Sequence, residues 1–177
     1  GIERTFQAAA TLFMNWTALQ NVAIAHHRVP KLSIWSSFFS NSRCHQDETE
    51  ILKDTMEILE IMGLRDYKDE SALSLPYGLQ RALGVSIAFA INQMGLLLDE
   101  PLTGMNPTEV DLMIRSIKKV RGEKKITTVV VEHNVRAAMN LCDRMVVLNY
   151  GRKIAEGLPA EIRQNKDVIE AYLGTED

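Results

Sequence analysis

The chain has only two cysteines, Cys44 and Cys142, far apart and in no C-x-x-C pair. A disulfide scaffold is thereby excluded, and free thiols in a reducing compartment are expected. No secretory leader is visible, and no apolar run is long enough to cross a bilayer. Any membrane association is therefore expected to come through a partner protein. Neither sign of charge dominates. The 20 Lys and Arg against 23 Asp and Glu leave a net charge of −3, which gives no reason to expect nucleic-acid binding. Pairs such as Lys118-Lys119 and Lys124-Lys125 read as solvated faces. His26, His27, Cys44 and His45 match no common zinc spacing. There is no internal repeat and no low-complexity tract. No Gly-Lys pair occurs, so the phosphate-cradling loop G-x-x-x-x-G-K-[ST] is not in this sequence.

What is present is an ordinary globular composition, 46% apolar and 24% charged over 177 residues, enough for one domain with a sizeable core. Residues 17–25 read as a helix with Leu19, Val22 and Ala23 on one face and Asn and Gln opposite, ended by Pro30. Residues 29–42 are irregular. Their Trp35, Phe38 and Phe39 read as apolar groups tucked against the neighbouring helix, with a partner-contact loop as the alternative. Residues 47–62 form an amphipathic helix, with Ile51, Thr55, Ile58, Leu59 and Met62 at helical spacing and Gly63 closing it. Helices are also expected at 78–92 and 107–121, the second with Asn106 as N-cap and Pro107 in the first helical position. The β-branched run 126–131 reads as a strand and 134–142 as a helix. Strands at 144–148 and 153–156 pair through Asn149-Tyr150-Gly151-Arg152, and short helices at 159–164 and 167–173 finish the chain. Such alternation gives an α/β fold with a mainly parallel sheet.

The densest chemistry lies at Gly95-Leu96-Leu97-Leu98-Asp99-Glu100-Pro101. A short apolar run bounded by helix breakers reads as a buried strand. Two carboxylates then emerge at its C-terminal end, where open α/β sheets bind ligands. One can hold a hydrated Mg²⁺, and the other can orient and deprotonate a water. An acidic loop after a core strand is the alternative.

Around this strand stand Arg4-Thr5-Phe6-Gln7, Leu75-Pro76-Tyr77-Gly78-Leu79-Gln80-Arg81, Leu102-Thr103-Gly104-Met105-Asn106-Pro107 and Val131-Glu132-His133-Asn134. Their order resembles the Q-loop, signature, Walker B, D-loop and H-loop of ABC transporter ATP-binding subunits. Cys142 to Gly151 and Val168 to Gly174 are similar to the ATPase subunits of branched-chain amino-acid importers. The resemblance runs over nearly the whole chain.

The resemblance implies a P-loop-NTPase-like α/β fold, with a mainly parallel sheet and a helical lobe. Residues 1–177 would form one incomplete nucleotide-binding domain. Within it, 8–74 would be the mostly helical lobe, and 75–177 would carry the signature, Walker B, D-loop, H-loop and C-terminal segment. The family's phosphate loop precedes its Q-loop, so the chain is expected to be the C-terminal part of such a subunit. The cofactors implied are ATP and Mg²⁺. Asp99 and Gln7 would attend the metal, Glu100 would be the general base, and His133 would reach the γ-phosphate. Gln7 would also sense the attacking water. Leu75, Pro76, Tyr77, Gly78, Leu79 and Gln80 would contact the nucleotide of a second ATPase subunit, identical or different, with Gly104 and Asn106 in the D-loop. Glu132 would be exposed.

Permease subunits would dock on the helical lobe, placing the protein in the cytoplasm, peripheral at the inner face of the cell membrane. Substrate choice would lie in the membrane and binding subunits. The sequence departs from the pattern at Pro76, Leu79, Gly84, Ile87 and Gly95, where many members carry serine, glutamine, an acid, arginine and an aliphatic residue. The alternatives are a truncated, non-catalytic subunit, an ABC ATPase serving another transport system, and an unrelated α/β enzyme with an acidic strand end.

Overall fold

The computed structural model describes residues 2–4, 12–26, 42–91 and 95–173, with the backbone alone for 2–4, 42–47 and 173. By its contacts the chain divides into two compact units, Gly1–Val129 and Val130–Asp177.

The first unit holds strand β1 (Ile2–Arg4), helices α1 (Ala18–His26), α2 (Ser42–Ile61) and α3 (Tyr77–Ala90), strand β2 (Gly95–Asp99) and helix α4 (Pro107–Lys124). Strand β3 (Thr127–Val131) carries the chain into the second unit. The sheet order is β1-β2-β3, and β1 runs parallel to β2 with Ile2 opposite Gly95 and Arg4 opposite Leu97. Parallel neighbours need a long crossover. The helices between Arg4 and Gly95 supply it.

Helix α1 is started by a reciprocal cap. Gln20 N donates to Thr17 Oγ1 at 3.1 Å, and Thr17 N donates to Gln20 Oε1 at 3.0 Å. Asn21 was expected on the polar face, yet it is fully buried. Its amide donates to the carbonyls of Phe13, Trp16 and Thr17 and accepts from Phe13 N. A buried amide is tolerated when its partners are met, and here it folds the preceding turn onto the helix. Helix α2 buries Thr55, Ile58 and Leu59 and ends at Gly63, whose φ of 73° lets Leu64 N reach back to Leu59 O. Ser116 of α4 donates to the Ile61 carbonyl at 2.8 Å, and Lys124 Nζ pairs with Asp54 at 2.5 Å. Helix α3 is buried almost all round, including Leu83, Val85 and Phe89. A helix apolar on every side belongs in a core.

The second unit contains α5 (Val135–Leu141), the antiparallel pair β4 (Met145–Asn149) and β5 (Arg152–Gly157), α6 (Pro159–Gln164) and α7 (Lys166–Val168). Helix α7 passes into a wider π turn over Ile169–Leu173. Tyr150 and Gly151 both have positive φ, 46° and 74°, as a two-residue type I′ hairpin turn requires. Val135, Met139, Met145, Val147, Ile162 and Val168 form this unit's own core. Asn134 caps α5 through Ala137 N, and Tyr172 OH donates to the Leu148 carbonyl.

Candidate functional site

Strand β2 delivers the two acids. Leu96 and Leu98 are buried, and Asp99 and Glu100 follow half-buried at its C-terminal end. Glu100 has a φ of 46°. A non-glycine residue in the left-handed region is uncommon, and such strain collects at functional sites. The turn that follows holds it there. Thr103 N donates to the Glu100 carbonyl at 3.3 Å, and Thr103 Oγ1 donates to Glu100 Oε2 at 3.3 Å. Pro101 and Leu102 are buried beneath this turn.

Gly104 leaves the turn with a φ of 78°. Asn106 then caps α4, as expected. Its Oδ1 accepts from Glu109 N at 3.0 Å, while Glu109 Oε2 accepts from Asn106 N at 2.9 Å. Both ends of the loop are therefore fixed, one by Thr103 and one by a capping box.

The stretch Leu75 to Gln80 sits at the start of α3. Gln80 Nε2 folds back to the Leu75 carbonyl at 2.9 Å, Leu75 and Gly78 are buried, and Leu79 is half-buried. Pro76 is the N-cap and offers no side-chain cap bond. Tyr77 and Gly78 meet the loop after β2. A Cβ at Gly104 would lie 2.7 Å from Tyr77 Cε1, and one at Gly78 would lie 2.8 Å from Glu109 Oε1. The first unit thus gathers Tyr77, Gly78, Glu100, Gly104 and Asn106 into one linked group.

His133 is exposed and follows β3 in the second unit. Glu132 is half-buried, which corrects the expectation of an exposed side chain. Gln7 lies outside the described residues. Three participants were not singled out from sequence: Thr103, Arg81 and Glu109. Two had a legible signal. Asn106-x-x-Glu109 has capping-box spacing, and Arg81 stands one helical turn after Tyr77.

The family model described as a branched-chain amino acid ATP-binding cassette transporter matches residues 152–177. The high-affinity branched-chain amino acid transport ATP-binding protein BraF of Pseudomonas aeruginosa is 36% identical over 98% of this chain and 68% of its own length. LivG of Escherichia coli, with the same description, is 34% identical over 98% of this chain and 68% of itself. Among solved structures, an ATP-binding cassette of an ABC transporter in its ADP conformation superposes with a TM-score of 0.73. It is 26% identical over 98% of this chain and 68% of its own. The fold is that of ABC ATPase domains, and the alignments to the two relatives extend over nearly the whole chain. The chain therefore belongs to the family of ATP-binding subunits of branched-chain amino-acid ABC transporters.

Proposed function

We propose that this chain carries the water-activating part of an ATPase subunit that powers import of branched-chain amino acids. The observation that carries the reading is Glu100. A carboxylate at the end of a buried strand is kept at a φ of 46° and bonded by Thr103. In phosphoryl transfer most catalysis is positioning and charge stabilisation, and this acid is positioned. Glu100 accepts a proton from the attacking water. By family resemblance, His133 would reach the γ-phosphate and Gln7 would sense the attacking water.

Asp99 would hold Mg²⁺ through water, with Gln7. Among the described residues no group of three or more His, Cys, Asp or Glu could enclose a metal. A site supplying one protein carboxylate suits Mg²⁺, which usually takes one or two carboxylates and fills its shell with water and phosphate. When bound, the ion neutralises charge on the phosphates.

The stretch Leu75 to Gln80 would serve the nucleotide of a second ATPase subunit, with Gly104 and Asn106 beside it. Helix N-termini suit phosphate. The helical lobe would take the permease subunits, at the inner face of the cell membrane. No helix among the described residues is long and apolar enough to cross a membrane. The test uses a chimera in which the segment of BraF preceding its match to this chain is joined ahead of Gly1. Glu100→Gln should abolish turnover and leave ATP binding intact. Equal hydrolysis by both proteins would remove Glu100 from its role.

A second reading, a non-catalytic subunit, is favoured by Leu79, whose side chain cannot hydrogen-bond a phosphate from the first turn of α3. If Leu79 is such a defect, Leu79→Gln in the chimera raises ATP-driven dimerisation and rate. An unchanged dimer fraction and rate make Leu79 a neutral variant.

A further inference from the structure

The hydrolytic reading leaves one buried charge unused. Arg81 on α3 is 7% exposed, and its buried Nη1 has no hydrogen-bond partner among the described residues. Burying a guanidinium is costly unless its contacts are specific. Its hydrogen bond and its ring contact are both with one side chain in the preceding turn. Arg81 Nε donates to Tyr77 OH at 2.9 Å, and its guanidinium carbon lies 5.3 Å from the Tyr77 ring centroid. The ring is thereby fixed at both its hydroxyl and its face.

Tyr77 is 47% exposed, so burial alone does not hold it. Its ring edge lies against Gly104, itself exposed, so that a Cβ there would lie 2.7 Å from Cε1 and 3.3 Å from both Cζ and OH. Gly104 closes the turn whose other end is Glu100, and Thr103 between them bonds the Glu100 carbonyl and carboxylate. The contacts run without a gap from Arg81 through Tyr77, Gly104 and Thr103 to Glu100.

We propose that Tyr77 is a positioning residue for Glu100. Arg81 locks its ring against Gly104, and the ring braces the turn that presents the acid. The role rests on the reading of Glu100 as the acid that acts on water. It also gives the start of α3 a task within its own subunit, separate from any contact with a neighbour's nucleotide. Gly78 against Glu109 is a second contact between the same two segments.

Hydrogen exchange on the full chain, without nucleotide, tests the brace. The amides to follow are those of Thr103 and Met105, which close the turn onto Glu100 and Leu102. Tyr77→Ala should speed their exchange about three- to tenfold, the loss expected for one packed aromatic contact. Leu83 to Phe89 in α3 should keep their rates. Tyr77→Phe keeps the ring but loses the hydroxyl's bond to Arg81, and should restore part of the protection. Arg81→Met, which frees the ring, should resemble Tyr77→Ala. Unchanged Thr103 and Met105 rates in Tyr77→Ala would overturn the proposal, as would an equal rise throughout α3. The readout involves no hydrolysis. Failure of the underlying reading shows separately, as retained turnover in the Glu100→Gln chimera.

Discussion

Thr103 holds Glu100 twice, donating its amide to the Glu100 carbonyl and its hydroxyl to Oε2, each at 3.3 Å. The first bond closes the turn that keeps Glu100 at a φ of 46°, and the second aims the carboxylate. One residue therefore fixes the acid at both levels, its backbone N–H holding the Glu100 backbone and its hydroxyl the carboxylate.

Removing that hydroxyl should separate positioning from binding. In the chimera, Thr103→Val should lower kcat about tenfold, the value of one hydrogen bond to a charged group. The KM for ATP should stay constant, and Thr103→Ser should restore the rate. Steady-state kinetics over a range of Mg-ATP decides it. A Thr103→Val protein with parental kcat would detach the hydroxyl from catalysis.

The α4 cap offers a stability test on the chain itself. Asn106 and Glu109 satisfy each other's backbone N–H. Asn106→Ala should cost about 1 kcal/mol, and Asn106→Asp should cost much less. Urea denaturation read by circular dichroism, with unchanged slope and a lower midpoint, is the expected result.

Asn21 should matter more, because it is fully buried and makes four hydrogen bonds to the turn before α1. Asn21→Leu keeps similar bulk but leaves Phe13 N without its acceptor, while the Phe13, Trp16 and Thr17 carbonyls keep backbone donors from Trp16, Ala72 and residue 21. The expected loss is about 1–3 kcal/mol, from one stranded donor and the side-chain bonds removed. An Asn21→Leu protein as stable as the parent in urea would contradict the burial of that amide network.

The hairpin of the second unit supplies a pH test. Lys153 Nζ bonds Glu156 Oε2, and Arg144 Nη2 bonds Oε1, each at 2.9 Å. Lys153 first, and Arg144 second, hold the Glu156 carboxyl below the ordinary carboxylate range. A depressed acid adds stability above its unfolded pKa, and that stability is lost as pH falls through the folded value. Carbon-detected NMR titration should show Glu156 moving up on Lys153→Met, and by less on Arg144→Met. The reverse order would misassign the dominant partner.

A binding test addresses the chain without further sequence. It contains no Gly-Lys pair, hence no phosphate loop of the usual form. Calorimetry with Mg-ATP should detect no tight complex. A micromolar dissociation constant would show that the residues of β2 and its turn suffice to hold the nucleotide.

The sequence alone determined most of the elements. Ile58, Leu59 and Met62 at helical spacing, the β-branched run before Glu132, and Asn106-Pro107 ahead of an apolar period are local signals. Local sterics and capping bonds act within a few residues, so they are legible in a string. The order of motifs identified the family for the same reason. Tertiary structure decided what those signals contradict or do not contain. Asn21 looks like a surface amide, and only the fold of Phe13 to Thr17 around it makes burial favourable. Glutamate at a positive φ runs against local preference, and the turn through Thr103 offsets that strain. Tyr77 reaches Gly104 because α3 and the loop after β2 pack together. Such contacts join segments distant in sequence, and their free energy comes from close packing that no local period encodes.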